Sequence, residues 1–180
     1  MVIGEFERKL LKNAAIKLVD SMREFGPHVI LLCGTSSQPA FSLIAEAWRR
    51  RHPKTPLPGV CPVSIARREH IEGQKVVLFD EIFSSGNSLE KAERIIARFN
   101  PAQIKKVALT HYPQVHPPQE VETGGASGGL LSLGDIGWGT RRELPRLRVK
   151  NKEKARNAAR RIRYIREELR QIAREIKPRE

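Results

Sequence analysis

The chain is predicted to be an α/β protein: a parallel twisted sheet with flanking helices, a small irregular region after the last core strand, and an added basic helix at the C-terminal end. Three observations predict it. Short apolar runs of strand length alternate with segments of helical periodicity, the pattern that builds a parallel sheet with helices on its faces. One run, Val76–Phe79, leads into two acids and then a hydroxyl-rich turn that opens a helix, which is where such folds place ligands. The last forty residues hold 16 Lys/Arg against 6 Asp/Glu and follow a separate, heptad pattern.

The elements follow in order. Ile3, Phe6, Leu10, Ala14, Leu18, Met22 and Phe25 recur at three- and four-residue spacing, so residues 3–25 form an amphipathic helix. Gly26-Pro27 ends it. Val29 to Cys33 is a strand, Gly34-Thr35-Ser36-Ser37-Gln38 a polar turn, and Pro39 opens a helix that runs to about Arg51. Prolines 53, 56, 58 and 62 break the next stretch, leaving Gly59 to Ile65 as a short strand. Val76 to Phe79 makes a buried strand with Asp80 and Glu81 at its end, and Leu89 to Phe99 an amphipathic helix. A fourth strand spans about Ile104 to Thr110. Residues 112–140 are proline-rich and then glycine-rich, with a mobile loop expected at Gly124–Gly129.

Composition narrows the class. The 180 residues are 39% hydrophobic and 29% charged, which suits one domain with an appendage: residues 1–149, then 150–180. The longest apolar run, Val29 to Cys33, falls far short of the ~20 residues of a membrane helix. Acids and bases among the first residues exclude a secretory signal, so a cytoplasmic location is expected. Cys33 and Cys61, both in apolar runs, are expected to be free thiols. The scattered histidines have no zinc-binding spacing. Of the net charge of +13, all but +3 lies in residues 141–180, a block that attracts phosphate polymers.

That C-terminal segment also carries Ala155, Ala158, Ile162, Ile165, Leu169, Ile172 and Ile176 at alternating spacings of three and four. A parallel homodimer along this seam would oppose Arg161 and Arg166, so the seam is expected on another helix or on the domain body, with the N-terminal helix the first candidate. Its outward face would display arginines to RNA or another polyanion, or to water. Self-association is a further expectation whose order stays open.

The segment Val76-Val77-Leu78-Phe79-Asp80-Glu81-Ile82-Phe83-Ser84-Ser85-Gly86-Asn87-Ser88 concentrates the chemistry. Free N–H groups at a helix start favour an anion, above all phosphate. Two carboxylates beside that cradle would repel phosphate itself but can grip sugar hydroxyls or a magnesium ion attached to it. The segment resembles the signature of type I phosphoribosyltransferases, which bind phosphoribosyl pyrophosphate (PRPP). In that family four apolar residues, two acids and two apolar residues precede Thr/Ser-Thr/Ser-Gly-Gly/Asn-Thr/Ser. The spacing fits without a gap, although the second acid is Glu81 where the family has Asp.

The resemblance implies a role for each position. Ser84, Ser85, Gly86, Asn87 and Ser88 would bind the PRPP phosphate. Asp80 and Glu81 would be catalytic, holding the ribose hydroxyls directly or through Mg²⁺, the implied cofactor. Gly34, Thr35, Ser36 and Ser37 would occupy the pyrophosphate site. Arg67 and Arg68, on a connection much shorter than the family's flexible loop, would stabilise the departing pyrophosphate. Residues 112–140 would form a hood over the base, with Trp138 and Asp135 contacting it. Two function classes follow: an enzyme transferring phosphoribosyl to a nitrogenous base, or a regulator of the same fold that binds nucleotide and, through its basic tail, RNA. The short loop and a pyrophosphate turn without Lys or Arg favour the second; the intact phosphate loop favours the first.

Overall fold

The computed structural model describes residues 3–34, 37–126 and 152–179, the side chains of 152–159, 161 and 162 excepted. Helix α1 (Glu5–Phe25) ends at Gly26, whose φ of 67° turns its N–H back onto the Met22 and Arg23 carbonyls. Strand β1 (Val29–Leu32), helix α2 (Ser37–Arg51) and strand β2 (Gly59–Pro62) follow. Helix α2 starts two residues before Pro39, which its first turn accepts because N–H groups there have no helical partner. The strand expected to reach Ile65 stops at Pro62, and Val63–Ile65 form a 3₁₀ turn. The connection onward is not an open loop either. Helix α3 (Arg68–Ile71) is anchored by fully buried Ile71.

Strand β3 (Lys75–Phe83), helix α4 (Asn87–Ala97) and strand β4 (Gln103–His111) complete the expected core. A fifth strand, β5 (Val121–Thr123), lies within the stretch expected to be irregular; its β-branched Val121 and Thr123 are buried against the sheet. The sheet order is β2-β1-β3-β4-β5, and every pair is parallel. Strand residues alternate between two cores. Ile30, Leu32, Val77, Phe79, Val107 and Leu109 face α1 and α2, where the Phe79 and Phe41 rings meet edge-on at 5.3 Å. Leu31, Val76, Leu78 and Ala108 face Leu89, Ala92 and Ile96 of α4.

The C-terminal helix α5 (Lys152–Arg174) lies on the outside of α1 and α2. Ile165, Leu169, Ile172, Ala173 and Ile176 are at most 2% exposed and belong to the same core as those helices. The seam therefore docks on the domain body as expected, with α2 the larger partner and α1 the smaller. Ala155, Ala158 and Ile162 lie outside the described side chains. Polar contacts secure the docked part. The Ile3 N–H donates to Glu168 at 2.7 Å, Arg50 donates to the Arg174 carbonyl at 3.0 Å, and Arg8 pairs with Glu175 at 3.3 Å. Beyond the helix, Arg179 pairs with Asp20 at 3.8 Å and Glu24 at 3.6 Å.

Candidate active site

In a sheet of this order the chain leaves β1 toward β2 on one side and β3 on the other. The crevice between the C-terminal ends of β1 and β3 is the topological switch point, where α/β sheets bind ligands. The turn after β1 and the segment after β3 converge there.

Strand β3 does not end at its acids. It runs through them to Phe83, held by β4: Thr110 donates its hydroxyl to the Glu81 carbonyl, and the Tyr112 N–H to the Phe83 carbonyl, both at 3.4 Å. Asp80 and Glu81 are consequently buried, 7% and 4% exposed. Ser37, the first residue of α2, is completely buried against them. Its Oγ lies 3.0 Å from Asp80 Oδ1 and 3.1 Å from Glu81 Oε2, and accepts the Gly34 N–H at 3.2 Å. Asp80 Oδ1 also accepts the Glu81 N–H at 2.9 Å. Burial first, and then the neighbouring Glu81 carboxylate, push the Asp80 carboxyl well above the usual aspartate range, with Ser37 and the Glu81 N–H acting in the opposite direction. Burial and the same two acids also push the Cys33 thiol up. Cys33 and Cys61 are both free.

Residues 84–88 form the turn into α4. Gly86 takes a φ of 79°, and a Cβ there would meet the Phe83 ring at 3.2 Å. As the N-cap residue it has no side chain to satisfy the first N–H groups of α4, which stay available to an anion. Asp80, Ile82, Phe83 and the whole of 84–89 line a polar cradle of about 20 Å³, room for one small oxygen-bearing group at its floor. The turn 84–88 and the first acid thus share one site.

Arg67 and Arg68 are exposed, pair with Glu69 at 3.6 Å and Glu72 at 3.9 Å, and do not line the cradle. Thr35, Ser36, Asp135 and Trp138 lie outside the described residues. The link from Ser37 to the acid pair has no sequence signal beyond a serine in the right turn.

Asp80 and Glu81 carry the hard carboxylate oxygens a magnesium ion would take, although only Asp80 lines the cradle and Glu81 is 4% exposed; among the described residues no cluster of three such ligands exists. Mg²⁺ keeps its waters and binds through one or two carboxylates together with substrate phosphates, so a complete protein cage is not required.

Residues 35–120 match the family model of the phosphoribosyl transferase domain. Solved structures share the fold. The HGPRT-ase from Leishmania tarentolae in complex with GMP is 16% identical at a TM-score of 0.50, covering 69% of this chain and 79% of that one. The hypoxanthine phosphoribosyltransferase of Trypanosoma cruzi is 18% identical at 0.50, covering 68% and 77%. That from Staphylococcus aureus is 12% identical at 0.51, covering 69% and 77%. No curated protein sequence matches significantly.

Proposed function

Residues 35–120 carry a phosphoribosyl transferase domain, in a chain with the fold of the type I phosphoribosyltransferases, and on that premise we propose that the protein binds PRPP with Mg²⁺ and transfers its phosphoribosyl group to a nitrogenous base. The observation that carries this reading is the uncapped start of α4, placed at the switch point and lined by Asp80.

The 5-phosphate sits on the N–H groups and hydroxyls of 84–88. The ribose lies toward Asp80 and Glu81, and the pyrophosphate toward the turn that begins at Gly34. In the reaction the C1′–O bond to pyrophosphate breaks and pyrophosphate leaves with the electron pair. A base nitrogen then bonds to C1′ and gives its proton to solvent. The carboxylates position the sugar and stabilise the positive charge that grows on the ring. When bound, Mg²⁺ supplies neutralisation of the leaving pyrophosphate. Arg67 and Arg68, exposed on the short connection, would stabilise the departing pyrophosphate. Trp138 and Asp135 remain assigned to the base. Hypoxanthine and guanine head the acceptor panel, because similar structures hold GMP and IMP.

The test is calorimetric titration with PRPP and Mg²⁺, followed by pyrophosphate release with that panel. Binding with turnover supports the enzyme, and no PRPP binding overturns the reading.

A second reading has its own observation. Arg160, Arg163, Arg166 and Arg170 are exposed on the outer side of α5 beside a Tyr164 that is 64% exposed. A regulator of this fold would bind nucleotide in the cradle and RNA on this basic face. PRPP binding without turnover, together with RNA affinity that falls steeply with salt, would select it.

A further inference from the structure

The turn after β1 and the two acids of β3 come from strands that the sheet sets side by side, and one hydroxyl joins them. Ser37 Oγ lies within hydrogen-bond distance of both carboxylates and takes the Gly34 N–H as well. A serine hydroxyl has one proton to give and two lone pairs to receive with. It can therefore donate to only one carboxylate at a time, while its oxygen sits within 3.1 Å of both. No exposed surface is left on Ser37. The groups around it are Asp80 and Glu81 from β3 and the turn starting at Gly34, with Cys33 next to the acids.

We infer that Ser37 is a positioning residue: its hydroxyl clamps Asp80 and Glu81 into one orientation at the switch point and ties the turn after β1 to them. This rests on the PRPP reading and deepens it, because it removes Ser37 from the residues that touch pyrophosphate. Its hydroxyl is consumed inside the protein, on the two acids and the Gly34 N–H. Two carboxylates left without the clamp would swing apart, and the ribose would lose a preformed pair of acceptors. The turn would also lose its attachment to β3.

The experiment compares wild type, Ser37→Ala and Ser37→Thr by calorimetric titration with PRPP–Mg²⁺ and, separately, with pyrophosphate–Mg²⁺. Ser37→Ala is expected to weaken PRPP about tenfold, the loss of roughly one hydrogen bond's worth of orientation, and to leave pyrophosphate affinity unchanged. Ser37→Thr keeps a hydroxyl and should restore much of the PRPP affinity. Equal weakening of PRPP and pyrophosphate would make Ser37 a direct pyrophosphate donor and overturn the inference; so would unchanged PRPP affinity in the alanine variant. A second measurement does not depend on PRPP. Thermal melting of Ser37→Ala, Asp80→Asn and the double variant should give shifts that do not add, since the two side chains share one hydrogen bond. Additive shifts would show that no clamp exists, even if wild type bound no PRPP at all.

Discussion

Neutralising Asp80 should make the protein more stable and less able to bind its ligand. In the folded state Asp80 and Glu81 are buried side by side, and Ser37 has one proton to share between them. At neutral pH the pair must either hold a further proton or bear repulsion between two desolvated charges. Asparagine at position 80 keeps the oxygen that accepts the Glu81 N–H. It also replaces the repelling oxygen by an amide that can donate to Glu81, while Ser37 donates to Glu81 undivided. A hydrogen bond to a charged group is worth about 1.5–3 kcal/mol. For a chain of this length each kcal/mol moves Tm by roughly 2–4 °C, so Asp80→Asn should melt about 3–12 °C above wild type.

The pH dependence gives the sharper test. The folded-state value of Asp80 is raised, so its contribution to stability is fully present below the unfolded aspartate value of about 3.9 and is lost as pH rises through the folded value. Asparagine does not titrate. The gap in Tm between variant and wild type should therefore be small near pH 4, open as pH rises, and level off once the pair has lost its proton. Melting curves across that range, read by circular dichroism, test it. A variant that melts at or below wild type at pH 8 would refute the reasoning, because the acid pair would then be stabilising the fold rather than straining it. The same substitution should weaken PRPP binding by about 1–3 kcal/mol through the lost charged hydrogen bond.

Four other outcomes are expected. Gly86→Val forces a β-branched residue into a φ of 79° against the Phe83 ring, and should abolish PRPP binding while far-ultraviolet circular dichroism stays that of the folded chain. Leu169→Ala opens a hole between α5 and the helices beneath it and should cost about 2–5 kcal/mol in denaturant melts. Truncation before Lys150 should lower Tm, provoke aggregation and flatten any salt dependence of RNA binding, as followed by light scattering and filter binding. Asp20, held below the usual range by Arg51 and Arg179 against the opposing effect of burial, contributes stability present at neutral pH and lost as pH falls through its folded value. Asp20→Asn should therefore shrink the acid-side loss of Tm.

The elements themselves were legible because their cause is local. Apolar spacing marked α1, the apolar run marked β1, and the acid-and-serine segment marked both the strand and the helix that frame the cradle. What escaped depends on partners distant in sequence. Asp80 and Glu81 read as a strand end because acids avoid the interior; the structure buries them inside β3, where Ser37 and the Glu81 N–H receive them. Val121–Thr123 was hidden by its proline-rich approach, since a three-residue edge strand exists only through the strand beside it. Spacing gave the width of the α5 seam but not its main partner, α2, because periodicity describes one face and not what meets it. The short helix that carries Arg68 was hidden because it is held by one buried residue, Ile71, with both arginines exposed.

The position of α5 also bears on how the molecule is made. The Ile3 N–H meets Glu168 across 165 residues of sequence, and Ile165 to Ile176 cover an apolar surface built from α1 and α2. During synthesis those first two helices leave the ribosome long before their cover does. Contacts of such long sequence separation form slowly, and uncovered apolar surface invites association in the interval. Maturation of the nascent chain should therefore pause at a state whose sheet can pair but whose outer helices stay bare. Chaperone binding to ribosome-stalled chains would then persist through residue 160 and release once the docking residues up to Ile176 have emerged.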